Sequence, residues 1–129
     1  MKKAKDYLKL LERRPSISRA QADALRKEQK ELRGNSHYYL IHGEKSGSEP
    51  YSVAGAIALK DDKAAVRWGE IQKELVDTGV LTPRNFSYDA IYKYTGKGEM
   101  DWWKAKDDGH FNLKTGKPTS KDWKEIFRF

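Results

Sequence analysis

The apolar positions of this chain change period as they run. Over residues 2–12, Ala4, Leu8 and Leu11 fall on one face with Tyr7 beside them. That is the i, i+4, i+7 spacing of an amphipathic helix, and Lys2, Lys5, Lys9 and Arg13 occupy the opposite face. Arg13-Arg14-Pro15-Ser16 breaks it, because the residue before a proline disfavours helix. A second helix is predicted over residues 18–33. Ser18 followed by Gln21 spells a capping box. Ala22, Leu25 and Leu32 share a face, and Gly34 is placed to end the helix in a left-handed conformation.

Period two follows. His37-Tyr-Tyr-Leu-Ile-His42 is rich in aromatic and β-branched residues and predicts a strand. Residues 43–50, GEKSGSEP, form a polar turn or loop, and Tyr51 to Leu59 returns as a second strand or opens a helix. The helical period resumes over residues 63–78. Asp61 or Asp62 caps this segment, and Ala64, Trp68, Ile71 and Leu75 make a core face. Gly79 ends it, with Val80-Leu81 packing back on the last turn.

The remainder is aromatic and ambiguous. Thr82-Pro83 suits the start of a helix, while Phe86, Tyr88, Ala90, Tyr92 and Tyr94 alternate as in a strand. The reading preferred is a strand over residues 87–94, paired in a hairpin with residues 99–106. A turn at Asp107-Asp108-Gly109 and a short strand near residues 110–113 come next. Ser120 caps a last short helix with Trp123 and Phe127 inward. The sum is an α+β fold in a single domain spanning residues 1–129. It comprises an N-terminal helical pair (residues 1–34, basic) and an α+β body (35–129) with a central helix and an antiparallel sheet.

Composition narrows the function classes. The 129 residues contain no Cys, which excludes disulfides and thiolate metal sites. No apolar run approaches the roughly 18 residues of a membrane span, and the N-terminus lacks the apolar stretch of a signal peptide. A cytoplasmic protein with no membrane partner is therefore expected. The net charge is +7, and it is unevenly spread: residues 1–33 carry +6, residues 34–92 carry −2 and residues 93–129 carry +3. Two basic ends point to an anionic partner, most often nucleic acid. Arg19, Arg26, Lys30 and Arg33 lie on the face of the second helix opposite its apolar residues and are candidate phosphate contacts. Interspersed Glu28 and Glu31 fit an ordinary solvated face equally well. Tyrosines and tryptophans that can stack on unpaired bases favour RNA over DNA.

No phosphate-binding loop, dinucleotide fingerprint, nucleophile elbow or zinc-protease motif is present. His37 and His42, five apart, fall on opposite faces of a straight strand, so no metal and no cofactor is expected. His110 sits in a turn beside Asp107, Asp108 and several lysines, a setting suited to proton transfer at neutral pH.

Ile91-Tyr92, Gly98-Glu99-Met100-Asp101, Lys104-Ala105, Asp108-Gly109-His110, Phe111-Asn112 and Lys114-Thr115-Gly116 together resemble the cytotoxic domain of ribosome-inactivating colicins. The resemblance implies a metal-free ribonuclease toxin domain, delivered to the cytoplasm. Asp101 or Glu99 would act as base, His110 as acid, and Lys97, Lys104 or Lys106 as the clamp for phosphorane charge. Lys97 stands where that family has its catalytic His, and Tyr94 or Thr95 where it has its first carboxylate. Three readings stay open: a small nucleic-acid-binding protein, such a ribonuclease, and a phage- or plasmid-type accessory protein that binds a host protein.

Overall fold

The computed structural model describes residues 15–47 and 50–129. The helix expected over residues 2–12 lies outside them. The fold is α+β. The elements are α1 (Arg19–Glu31), β1 (Arg33–His42), β2 (Ser52–Leu59), α2 (Asp62–Asp77), α3 (Pro83–Phe86), β3 (Ala90–Tyr94), α4 (Trp102–Asp107) and β4 (Trp123–Arg128). The four strands make one antiparallel sheet in the order β2-β1-β3-β4.

β1 is central, and its alternation divides the core in two. Tyr38 and Leu40 point to one face, where they pack with Ile57, Leu59, Ala65, Trp68 and Ile91 beneath α2. Tyr39 and Ile41 point to the other, where they pack with Val53, Tyr92, Ala105, Phe111 and Trp123. A strand buried on both faces reads as an apolar run, which is why Tyr38 to Ile41 are buried without a break.

The helices form where their caps and faces dictate. Ser18 and Gln21 complete the capping box of α1: the Ser18 hydroxyl accepts from the Gln21 amide at 3.1 Å, and the Ser18 amide donates to Gln21 Oε1 at 2.8 Å. Asp61 caps α2 through the amide of Ala64 at 2.8 Å. The predicted core face Ala64, Trp68, Ile71 and Leu75 is buried throughout. Ile71 and Leu75 meet Ala22 of α1, with Val80 and Leu81 folded back onto them. A two-pronged ion pair from Arg67 to Glu28 (2.5 and 2.9 Å) and an amide bridge from Gln29 to Gln72 (3.0 Å) tie α1 to α2. Gly69 is required by close approach: a Cβ there would stand 2.6 Å from the Phe127 ring on β4.

Four expectations need correction. Gly34 does not terminate α1 in a left-handed conformation; Leu32 caps it with ordinary right-handed angles, and Gly34 lies inside β1. Its lack of a side chain serves another purpose, since a Cβ would lie 2.6 Å from the Lys60 backbone. Residues 99–106 are not a hairpin strand; Asp101 caps α4 instead, through the Lys104 amide at 2.9 Å. The strand near residues 110–113 shrinks to a single bridge between Phe111 and Pro118. The helix expected after Ser120 is the edge strand β4; the Ser120 hydroxyl accepts from the Asp122 amide two residues on, a local turn. Between these, Thr82-Pro83 does open a helix, the single turn α3, and the alternating strand begins only at Ala90.

Candidate nucleic-acid interface

Residues 95–122 cross the sheet face opposite α2, and they include α4. Asp101 at the cap fixes its start, and Tyr39 reinforces it from below by donating its buried hydroxyl to the Met100 carbonyl. Burial, with the nearby Asp101 charge second, holds the Tyr39 phenol above its usual pKa. It therefore stays a donor in the working pH range. On one turn of helix, residues i and i+3 share a face. Trp102 and Ala105 accordingly turn inward: Ala105 is 1% exposed, and Trp102 packs half-buried on the core.

The next residue inevitably faces out. Trp103 is 59% exposed. Its ring stacks on Trp102 with centroids 4.4 Å apart and planes 30° from parallel. Trp102 in turn carries the Lys106 ammonium 5.3 Å from its ring centroid, an i, i+4 cation–π contact. Lys104 and Lys106 are exposed in the last turn of α4, and Lys97 is exposed in the turn before it. None of the three has an ion-pair partner among the described residues. A stacked indole pair flanked by ammonium groups without ion-pair partners offers a stacking surface and phosphate contacts together.

The cationic stripe of α1 is also outward. Arg19, Arg26 and Lys30 are exposed, and Arg33 is exposed at the start of β1 rather than on the helix. Arg19 and Arg26 border a groove with Pro15, Ile17 and Val80. Glu28, which lies between Arg26 and Lys30 in sequence, is turned away by its pair with Arg67. That pairing holds the Glu28 carboxyl below its usual range.

The acid–base candidates occupy separate local roles. Glu99 is exposed in the loop before α4. Asp101 spends Oδ1 on the helix cap. His110 sits beneath Trp123 and Tyr94, with ring centroids 5.6 and 6.4 Å away, and its Nδ1 accepts from the Trp123 indole N–H at 3.4 Å. No hydrogen bond joins Glu99 or Asp101 to His110 among the described residues.

Two features escaped sequence reasoning. A strand would set Trp103 on the same face as Ala105 and Trp102 on the other, so the exposed indole could not be picked out from a strand reading, although Lys at i+4 from Trp102 is a helical signal. The other is a polar cluster at the end of β1. Asp89 is buried, with Oδ1 accepting from the Lys45 amide at 3.3 Å and Oδ2 without a partner among the described residues. Beside it the Ser46 hydroxyl donates to the Gly43 carbonyl at 3.2 Å and lies 3.4 Å from His42 Nδ1. These groups pin the turn after β1.

No helix among the described residues is long and apolar enough to cross a membrane. No known protein family, curated protein or solved structure matches the chain.

Proposed function

We propose that this protein binds single-stranded nucleic acid on the surface made by Trp103 with Lys97, Lys104 and Lys106. The observation that carries the reading is the exposure of Trp103 on a stiff support. With one ring face against Trp102, its solvent-facing surface is the other face and the ring edges. A base stacked there gains about 1–3 kcal/mol, and any base can do so because each has a π-face. The lysines contribute the salt-sensitive term from released counterions. The α1 stripe of Arg19, Arg26, Lys30 and Arg33 extends the cationic surface over a second element. A duplex hides its base faces, so the indole selects unpaired strands. No cleavage step is part of this reading, because no hydrogen bond joins Glu99 or Asp101 to His110 among the described residues.

The test is quenching of tryptophan fluorescence on titration with an oligouridylate, and with a duplex of equal length as comparison. The reading predicts saturable quenching by the single strand at low salt and weaker, unquenched binding of the duplex. Equal behaviour of the two nucleic acids, or no binding of either at low salt, would remove its support.

A further inference from the structure

β2 and β4 are the two edges of the sheet, and the chain treats them differently. β4 carries Lys124, Glu125 and Arg128, the kind of charges that keep an edge from pairing with another strand. β2 carries none. Ser52–Leu59 reads SVAGAIAL, without charge or proline, in a chain that is 35% charged. β1 is equally neutral from Gly34 to His42, but it is paired on both sides and its neutrality serves the core. No such demand falls on Ala54 and Ala56, which are exposed.

Among the described residues, the outer side of β2 is also free of backbone partners. Among the described residues the pairing stops at its ends, where the Tyr51 amide donates to the Leu113 carbonyl (2.9 Å) and the Lys60 amide to the Leu32 carbonyl (3.0 Å). A bulge at Ala54 interrupts the strand, but Gly55–Leu59 run in unbroken register with Ser36–Leu40. That regular stretch is a template for one more strand.

We infer that the outer edge of β2 pairs antiparallel with β2 of a second copy of this chain, joining two four-stranded sheets into one. The occupant must be uncharged, since a charge brought to this edge meets no counter-charge. β2 itself satisfies that condition. At a net charge of +7 two copies repel overall, and a seam without charges adds no local repulsion. The sequence also matches itself about a two-fold axis. With Ala56 on the axis, it faces its own copy and Ile57 faces Gly55, both within the regular stretch, so a large side chain is set against a residue that has none.

A two-fold axis between antiparallel strands stands perpendicular to the sheet. Both copies of α4, which lies over β2, therefore fall on the same face of the joined sheet. Two Trp103 platforms would then face one ligand, although the pairing itself does not depend on what they bind.

The experiment is sedimentation velocity on the full chain over three decades of concentration. For the wild type, the expected result is a mass rising from 14.9 kDa toward twice that value. Ala56→Lys and Ala56→Glu should each stay monomeric, because like charges are set directly opposite. An equimolar mixture of the two should associate again, a rescue that an unfolded variant could not give. Far-UV circular dichroism checks that each variant keeps its fold. A wild type whose mass stays constant, variants that associate like the wild type, or a mixture of folded variants that stays monomeric would each overturn the inference. The wild-type series decides alone where a variant does not fold.

Discussion

Trp68 and Trp103 invite the same substitution with opposite outcomes. Trp68 is 8% exposed at the centre of the α2 core face, tilted against Tyr88 with ring centroids 6.3 Å apart. A buried indole withdraws about 200 Å² from water. At about 25 cal/mol per Å² that is about 5 kcal/mol. Alanine keeps a methyl group worth about 0.8 kcal/mol, leaving a loss of about 4 kcal/mol. The range for truncating a core aromatic, about 3–5 kcal/mol, agrees. Against a total stability of about 5–15 kcal/mol, Trp68→Ala should lower the urea midpoint by a quarter or more. The melting temperature should fall by on the order of 10–15 °C. Trp103→Ala should cost no more than about 1.5 kcal/mol, the upper worth of its stack on Trp102, because the ring is otherwise exposed. Urea titrations followed by circular dichroism measure both. A loss below about 1 kcal/mol at Trp68, or a loss above about 2 kcal/mol at Trp103, would refute the assignment of one indole to the core and the other to the surface.

Three further perturbations follow from particular contacts. The Tyr38 hydroxyl (2.7 Å), then Lys124 and Lys93 (3.2 and 3.3 Å), hold the Asp62 carboxyl below the usual range. A depressed carboxylate stabilises the fold above its unfolded pKa and loses that contribution as pH falls through the folded value. Asp62→Asn should therefore be less stable than wild type at neutral pH, with the gap closing below the ordinary aspartate pKa of about 4; a gap independent of pH contradicts this. Gly69→Ala gains about 1 kcal/mol of helix propensity but drives a methyl group into Phe127, so denaturant titration should show a net loss of up to about 2 kcal/mol rather than a gain. Replacing Arg19, Arg26, Lys30 and Arg33 together with Gln should weaken binding to an oligouridylate and flatten its salt dependence while leaving the circular dichroism unchanged. An unaltered salt slope would take α1 out of the interface.

The elements legible in the sequence are those whose signals agree. In α1 the capping box and the apolar stripe coincide, and in α2 the Asp61 cap coincides with four core residues. β1 runs apolar and aromatic through its centre, whereas the Ala and Gly of residues 51–59 suit a strand or a helix start, and only the pairing with β1 settles β2 as a strand. The misread elements carry signals that two structures satisfy equally. Trp123 and Phe127 are four apart, which suits one face of a helix. They also suit one face of a straight strand, yet in β4 a bulge at Ile126 sends them to opposite faces of the sheet. The segment around Trp102 is aromatic enough to favour a strand, but Asp101 satisfies the Lys104 amide and tips it into a helix. The stacking site could not be read before α4 was, because only a helix sets Trp102 and Ala105 inward while exposing Trp103. The charged candidates were easier to name than to place. Arg19, Arg26 and Lys30 share an exposed helix, whereas Arg33 belongs to a strand, a distinction set by where Leu32 ends α1.

The most direct measurement is the affinity of a labelled oligouridylate for wild type, Trp103→Ala and Trp103→Phe, by fluorescence anisotropy at two salt concentrations. Losing a stacking contact of about 1–3 kcal/mol should weaken binding by Trp103→Ala by roughly 5- to 150-fold at either salt, because stacking releases no counterions. Trp103→Phe keeps a ring and should retain most of the affinity. Equal affinities for all three proteins would contradict the account.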